Sequence, residues 1–240
     1  RSPSRGLGDV YKRQHLFLLY TIQMTHSEEN YLKIIYHLSQ QTGKGVSTNA
    51  IAGVMESKPS SVTDMVQKLA EKGLVNYVKY QGVLLTEAGT FAALMIVRKH
   101  RLWELFLVEK LDFSWDEVHD IAEQLEHIKS DKLINKLDEF LGFPTEDPHG
   151  DPIPDANGNI SAIEKKLLSE IALGKSVICV GVKDSSAPFL QYLDKQQIAL
   201  GATLQVLAKE DFDHSIQLKI KDRELTVSNK IAANLFVKPL

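Results

Sequence analysis

Residues 59–73, PSSVTDMVQKLAEKG, decide how the first part of the chain folds. Pro59 suits the first position of a helix, and Gly73 suits the position just past a helix end. Between them, apolar residues recur with the spacing of one helix face. That face holds Val62, Met65, Val66 and Leu69. The stretch therefore predicts an amphipathic helix from Pro59 to Lys72 whose opposite face carries small hydroxyl and charged side chains.

Two helices before this stretch and two strands after it predict a winged helix-turn-helix domain. Ser27 is expected to cap the first helix, which runs to about Gln41. The second helix is predicted at 49–55, and the strands at 74–80 and 83–86. Three helices followed by a hairpin are the pattern of this DNA-binding fold.

The outer face of the third helix and the wing offer groups that suit DNA. The candidates are Lys58, Ser60, Ser61, Thr63, Asp64, Lys68 and Lys79. Hydroxyls and helix N-terminal amides suit phosphates, lysines neutralise them, and Asp64 can accept from a cytosine amine. A helix-turn-helix used for protein contacts is the alternative. The net charge of -3 gives no electrostatic support for DNA binding.

Four side chains on a later helix suggest a metal site. Residues Ser114-Trp115-Asp116-Glu117 form a capping box that predicts a helix to about Ile128. A long helix at 87–107 is predicted before it, and another at 131–141 after it. On the middle helix, one stripe would hold His119, Glu123, Glu126 and His127. A second stripe on the preceding helix would hold His100 and Glu104.

Two imidazoles and two carboxylates on one stripe suit a divalent transition metal better than calcium or magnesium. The alternative to a metal site is a solvated acidic face, because no Lys or Arg separates the acids of this segment. These acids are Asp112, Asp116, Glu117, Asp120, Glu123 and Glu126. The alignment with two histidines favours the metal site. His149 lies in a Pro-Gly loop, and we interpret it as structural.

The last part of the chain changes its hydrophobic period towards two, which is typical of strands. Strands are predicted at 177–182, 203–207, 215–220 and 224–227, with a short helix at 185–194. A small β-barrel of SH3 type fits this pattern. The predicted fold class is therefore mostly α with β. Its predicted divisions are a winged helix-turn-helix domain at 24–97, a helical metal-binding and dimerisation domain at 98–145, a linker at 146–160 and an SH3-like domain at 161–240.

Residues 1–23 differ in composition from the rest of the chain and belong to none of these predicted domains. The run Asp9-Val10-Tyr11-Lys12-Arg13-Gln14 resembles a translated sequencing-library adaptor, so the segment is interpreted as non-native or translated upstream sequence. A signal peptide is the rival interpretation, although no small-residue cleavage site follows. No apolar run approaches the roughly 20 residues needed to cross a bilayer, so no membrane partner is expected. The single Cys179 excludes an internal disulfide and fits a reducing cytoplasm.

Several motifs, in order and at matching spacings, closely resemble the diphtheria-toxin-repressor family, including its manganese-transport-regulator branch. They are Glu29-Asn30-Tyr31-Leu32, Pro59-Ser60-Ser61-Val62-Thr63, Arg98-Lys99-His100-Arg101-Leu102, Val118-His119-Asp120, Glu126-His127 and His149-Gly150-Asp151-Pro152-Ile153-Pro154. The family likeness implies a cytoplasmic homodimer that binds double-stranded operator DNA when loaded with Mn(II) or Fe(II).

The resemblance also implies two ligand sets. The first would be Asn30, Glu123, Glu126 and His127, and the second His100, Glu104 and His119. Asn30 departs from the Met or Asp usual there, and Lys33 replaces an acid of the manganese branch. Glu123 stands where iron-type repressors carry Cys, which moves the preference towards a harder ion. Ser185 and Pro188 occupy positions where some members add ligands to the second site.

The leading functional hypothesis is a Mn(II)- or Fe(II)-activated repressor of metal-uptake or homeostasis genes. A winged-helix regulator that no longer senses metal, and uses its barrel to bind proteins, is the alternative. An enzyme such as a di-iron oxidase is not expected, because it needs paired Glu-x-x-His motifs and Glu123 is followed three residues later by Glu126.

Overall fold

The computed structural model describes residues 23–42, 45–78, 82–161 and 164–240. These residues form two compact units. The first contains the described residues up to Arg98 together with Ala156–Gly158, and the second contains Lys99–Asp155 and Asn159–Leu240. Within the described residues, no helix combines the length and the apolar character needed to span a bilayer.

The first unit has the predicted winged helix-turn-helix architecture. It consists of α1 (His26–Thr42), α2 (Thr48–Val54), α3 (Pro59–Glu71), β1 (Val75–Val78), β2 (Gly82–Leu85) and the start of α4 (Glu87–Leu111). The two strands pair antiparallel, from Val75 opposite Leu85 to Val78 opposite Gly82. The core packs the apolar faces of the three helices against the hairpin, with Leu32, Ile35, Ile51, Val66 and Leu69 fully buried.

The prediction that Ser27 caps the first helix was wrong, because Thr25 does so. The backbone N–H of Thr25 donates to Glu28 Oε2 at 2.8 Å, and the backbone N–H of Glu28 donates to Thr25 Oγ1 at 3.3 Å. This reciprocal pair is a capping box. Glu28 also lies 2.7 Å from Lys72 Nζ, which ties the start of α1 to the end of α3.

Two helices that carry residues of the second unit differ in length from the predictions, α4 being longer and the helix after it shorter. The helix α4 runs one turn beyond the predicted end, to Leu111. The next helix, α5 (Val118–Leu125), ends before Glu126, which is its C-cap, so Glu126 and His127 are not on the predicted continuous stripe. The chain tightens there, because the N–H of Ile128 donates to the carbonyl of Leu125. Ser130 then caps α6 (Asp131–Phe140) by accepting from the N–H of Leu133.

The rest of the second unit is an SH3-like β domain. Its strands are β3 (Lys166–Leu167), β4 (Ser176–Val182), β5 (Thr203–Lys209), β6 (Ile216–Ile220), β7 (Arg223–Val227) and β8 (Leu235–Pro239), with α7 (Ala187–Lys195) and α8 (Asn229–Ala232). The sheet order is β3-β8-β4-β5-β6-β7, all antiparallel. Register shifts between Cys179 and Gly181 and between Val206 and Ala208 bend the sheet around its core. The strands β3 and β8 were not predicted.

The segment predicted as a linker begins with a packed turn. Asp147 and His149 are both buried, and Glu146 pairs with Pro152 in an isolated antiparallel bridge. Asp147 Oδ1 accepts from the N–H groups of His149 and Asp151 at 2.8 and 3.0 Å. The Pro, Gly and Asp composition of this stretch therefore encodes a fixed loop, and we call residues 145–153 the 145–153 loop.

Candidate metal centre and DNA-binding surface

Three parts of the second unit place metal-ligating side chains together. His100 and Glu104 lie four residues apart on α4, which puts them on the same helix face. His119 and Glu123 have the same spacing on α5. Glu126 follows α5 directly, and the 145–153 loop adds Asp147 and His149. Within the described residues, these seven side chains form three overlapping groups whose ligand atoms lie within 4.8 Å of one another.

The first group is a tight triangle of donors. Glu104 Oε1 lies 3.0 Å from His100 Nε2 and 3.3 Å from His119 Nδ1, and the two nitrogens are 3.2 Å apart. Metal bonds of about 2.0–2.2 Å put neighbouring ligands of an octahedral ion about 3 Å apart. The triangle therefore has the size of one face of an octahedral shell. Glu104 and His100 are buried, whereas the His119 side chain is 60% exposed and leaves a route from solvent.

The second group contains His100, Glu123 and Glu126. His100 Nδ1 lies 2.7 Å from Glu126 Oε2, and the Glu126 side chain is fully buried. The Glu123 carboxylate is closer to the surface and also lies 3.8 Å from His119 Nε2. A buried carboxylate is costly unless it is paired or coordinates an ion. This group therefore holds Glu126 in an environment that favours a cationic partner.

The third group, Glu104, Asp147 and His149, was not predicted from the sequence. His149 Nε2 lies 2.8 Å from the carbonyl oxygen of Trp115, so that nitrogen must carry the proton it donates. In the neutral ring, Nδ1 is then free to accept or ligate, and it faces Glu104 Oε2 at 3.7 Å. Metal-bound histidines commonly donate their second N–H to a backbone carbonyl in this way.

The carboxylates and imidazoles shift one another's pKa values. Burial opposes ionisation of Glu104, but hydrogen bonds from the three imidazoles hold its pKa well below the usual range. Burial and the Glu104 and Asp151 carboxylates raise the pKa of Asp147 to about 7. Burial alone would lower the pKa of His149, yet Glu104 and Asp147 raise it to about 9. Asp147 and His149 therefore hold protons more strongly than usual, and a divalent cation would compete with those protons for the same donor atoms.

The structure brings together five of the seven residues predicted as ligands: His100, Glu104, His119, Glu123 and Glu126. His127 follows Glu126 and is outside all three groups. Asn30 belongs to the first unit, where its Oδ1 atom is buried and has no hydrogen-bond partner among the described residues. A buried amide oxygen without a hydrogen bond is costly, so this atom calls for a partner that the described residues do not supply.

Asp147 and His149 were missed because the sequence signal for them is weak. They are two residues apart in a Pro- and Gly-containing loop, more than forty positions after Glu104, so periodicity cannot connect them. In the structure, Arg101 links α4 to this loop. Its Nε atom lies 3.4 Å from Asp147 Oδ2, and its guanidinium also contacts the carbonyl of Pro152. This helix-to-loop contact brings the loop beside Glu104.

The candidate DNA-binding residues lie on the outer face of α3. Lys58, Ser60, Ser61, Asp64 and Lys68 are exposed, and Thr63 is half-buried with its hydroxyl donating to the carbonyl of Pro59 at 3.0 Å. Lys79 lies outside the described residues. Because Lys58 caps α3 without a side-chain bond, the first amide groups of this helix keep their capacity to donate. The surface therefore combines donors with two lysines.

Comparison with known proteins identifies three family domains along the chain. Family models match the N-terminal DNA binding domain of iron dependent repressors at residues 23–83, their metal binding and dimerisation domain at 86–155, and a FeoA domain at 166–239. The iron-dependent repressor IdeR of Mycobacterium leprae is 32% identical over 164 residues, covering 65% of this chain and 71% of that protein. The chain belongs to the diphtheria-toxin-repressor family.

Members of this repressor family with solved structures include manganese-dependent proteins. A manganese-dependent transcriptional repressor in complex with manganese superposes with a TM-score of 0.77 at 36% identity, covering 89% of this chain and all of that one. The regulator MntR of Oceanobacillus iheyensis is 35% identical over 123 residues, covering 51% of this chain and 82% of that protein. This member of the diphtheria-toxin-repressor family is therefore a metal-dependent DNA-binding transcriptional repressor, not an enzyme.

Proposed function

We propose that this protein represses metal-uptake or metal-homeostasis genes when Mn(II) or Fe(II) occupies the centre formed by α4, α5 and the 145–153 loop. The observation that carries the proposal is the convergence of five predicted ligands in one cluster: His100, Glu104 and Glu126, which are buried, and His119 and Glu123, which are nearer to solvent. The donors are imidazole nitrogens and carboxylate oxygens, which suit Mn(II) and Fe(II). Cys179, the single cysteine, lies in the core of the β domain and is not part of this donor set.

We propose that the ions bind in two places. One would use Glu123 and Glu126, with Asn30 adding the amide oxygen that has no hydrogen bond within the described residues. The other would use Glu104 with His119 or with the loop residue His149. His149 would then supply a donor that Ser185 and Pro188, at the family's additional ligand positions, do not offer. His100 borders both places, because each of its nitrogens faces a different carboxylate.

Metal binding would act on DNA binding through the first helix. Asn30 lies on α1, which packs with α2 and α3 in one core. An ion that includes Asn30 among its ligands would fix α1, and through it the recognition helix α3. In a homodimer this fixes the separation of two recognition helices for neighbouring turns of operator DNA. In this arrangement the ion would contribute the positive charge, and the protein would contribute the ligand atoms and the packed helix α1.

The partner copy would bind through the helical part of the second unit. Phe140 and Phe143 are 65% and 66% exposed there, and Leu133 and Leu111 are 42% and 51% exposed. Large apolar side chains that are exposed in one chain are candidates for burial in a protein interface. The matching family domain is described as a dimerisation domain. We therefore propose that the end of α6 and the following turn form the homodimer contact.

The function is tested by measuring DNA binding as a function of metal. The apo protein is titrated anaerobically with Mn(II) or Fe(II), while fluorescence anisotropy follows a labelled duplex selected from a random library by the Mn(II)-loaded protein. Binding that rises steeply with either metal, and is reversed by EDTA, is expected. Equal DNA affinity with and without metal would instead support the second candidate, a regulator that no longer senses metal. The observation favouring that candidate is the buried Lys33 on α1, a cation one turn after Asn30.

A further inference from the structure

The hairpin formed by β5 and β6 ends in an acidic tip with an exposed aromatic side chain. Phe212 is 99% exposed, and Glu210, Asp211 and Asp213 beside it are exposed as well. The tip is a defined turn, since the N–H of Glu210 donates to the carbonyl of Ser215 and Asp213 Oδ1 accepts from the N–H of Ser215 at 2.9 Å. The turn thus holds the phenyl ring of Phe212 in solvent, where it is accessible to another molecule.

The opposite end of the same hairpin borders a half-open groove of about 590 Å³. One wall is the sheet surface, where Ser176, Gln205 and Lys219 stand in register on β4, β5 and β6. The other wall is the turn that contains Ala199, Leu200 and Ala202, which supply aliphatic surface. Lys219 and Lys221 bring two ammonium groups to the groove, and neither forms an ion pair with any described residue.

The groove and the tip are complementary in chemistry. A phenyl ring can pack on the aliphatic wall while the neighbouring carboxylates meet the two lysines. The hairpin cannot place its own tip in its own groove, because the β5–β6 ladder keeps the two ends apart. Lys209 pairs with Ile216 near the tip and Gln205 pairs with Lys219 at the groove. At about 3.3 Å per residue, these pairs are separated by roughly 10 Å along β6.

We propose that the acidic tip around Phe212 docks into the Lys219–Lys221 groove of a second copy of this chain. The two surfaces are different patches, so this contact joins dimers head to tail and is separate from the dimer contact proposed at Phe140. A single aromatic anchor with a small rim buries less area than a stable dimer needs. The contact is therefore weak in dilute solution and is strengthened when dimers bind DNA side by side, where the effective concentration is high.

Self-association of the full chain, without DNA and with EDTA, tests this proposal independently of metal sensing. Sedimentation velocity at rising protein concentration and about 0.05 M salt is expected to reveal species larger than the dimer. Raising the salt to about 0.5 M should weaken them, because charge pairs are screened. Phe212→Ala should shift the concentration needed for assembly upwards at least about tenfold, as expected for loss of a central aromatic anchor. Leu173→Ala, at an exposed apolar position elsewhere in the β domain, is the matched control.

Charge-reversal variants test whether the acidic tip binds the Lys219–Lys221 groove. Glu210→Lys with Asp211→Lys reverses the tip, and Lys219→Glu with Lys221→Glu reverses the groove. Each pair alone should abolish assembly, and the chain carrying all four changes should regain it, with circular dichroism showing that every variant is folded. Absence of any species beyond the dimer in the unmodified protein overturns the proposal. It is equally overturned if the tip variants lose assembly and the groove variants keep it, or if the fourfold variant fails to recover.

Discussion

His100 Nδ1 lies 2.7 Å from Glu126 Oε2, while His100 Nε2 lies 3.0 Å from Glu104 Oε1. One imidazole thus joins two buried carboxylates that belong to different candidate groups. A neutral ring carries a single proton, so it can donate to only one of these carboxylates at a time. An ion bound to either group changes the protonation of the shared ring, and we expect the two groups to load in a coupled manner.

Changing Glu126 to Gln should weaken Mn(II) binding by at least about 100-fold, since even partners of metal ligands contribute up to that factor. The amide keeps the size and a hydrogen bond to His100 but loses the charge. Calorimetric titration with Mn(II) measures the effect, and circular dichroism checks the fold. Glu139→Gln, at an exposed acid on α6, should leave the affinity unchanged. Unaltered Mn(II) affinity in Glu126→Gln would remove Glu126 from the ligand set.

Changing Asn30 to Asp should tighten Mn(II) binding about tenfold, equivalent to about 1.4 kcal/mol. A carboxylate offers Mn(II) a harder, charged oxygen at nearly the same size. The change also lowers the metal concentration required for operator binding. Asn49→Asp adds the same charge at an exposed position on α2 and serves as the control. A weaker or equal affinity in Asn30→Asp would show that α1 reaches the metal through another group.

Replacing Phe140 with Asp should convert the dimer into monomers, because a carboxylate cannot be buried against an apolar partner surface without a counter-charge. Light scattering measures the mass, and circular dichroism shows whether the monomer is folded. Leu173→Asp introduces the same charge at a similarly exposed position in the β domain and should remain dimeric. A folded Phe140→Asp dimer would place the dimer contact elsewhere.

Removing the charge of Glu28 should destabilise the protein at neutral pH by about 1.5 kcal/mol, the lower end of the range for a hydrogen bond to a charged group. Burial opposes its ionisation, yet Lys72 and Thr25 lower its pKa below 4.5. A carboxyl with a lowered pKa stabilises the fold above its unfolded pKa and loses that contribution as the pH falls. The difference between wild type and Glu28→Gln, measured by urea unfolding, should therefore shrink below pH 4.5. Glu71→Gln, at an exposed acid ending α3, is the comparison, and a pH-independent difference would argue against the ion pair.

Cys179 should resist alkylation in the folded protein. The residue is 1% exposed, and burial raises the pKa of the thiol to about 11 even though the N–H of Gly181 favours the thiolate. Iodoacetamide reacts with thiolates, which are scarce and inaccessible here. Mass spectrometry should find little modification until urea unfolds the β domain. Rapid labelling of the native protein would contradict the packing of β4.

The sequence predicted those parts of the fold that depend on local patterns. Pro59 and Gly73 bracket α3, and the period of apolar residues placed four strands of the β domain. β8 was missed because Leu235–Pro239 ends in proline and becomes a strand by pairing with β4 on one side and β3 on the other. Such pairing joins residues that are distant along the chain, which periodicity does not reveal.

The candidate metal centre was also predicted only in part, because its assembly depends on contacts between residues that are distant along the chain. His100 with Glu104, and His119 with Glu123, are neighbours on single helices, so their spacing reveals them. Their meeting at distances near 3 Å depends on how α4 and α5 pack. Glu126 was placed on a helix that ends one residue earlier, and it nevertheless reaches His100 from the C-cap. His149 was interpreted as structural because nothing in its loop indicates that the loop returns to Glu104.

The contact between Gly150 and β4 limits how freely the parts of this protein could be exchanged. A Cβ atom at Gly150 would lie 1.9 Å from the carbonyl oxygen of Val180, and the N–H of Val182 donates to the carbonyl of His149. The backbone that carries His149 is therefore shaped by the β domain itself. Grafting the C-terminal domain of another repressor onto these helices would require a strand with the same spacing at this point. Truncation near residue 160 would remove the strand on which the 145–153 loop packs. The position of His149 therefore depends on the β domain, although the sequence suggests that the two parts are separate domains.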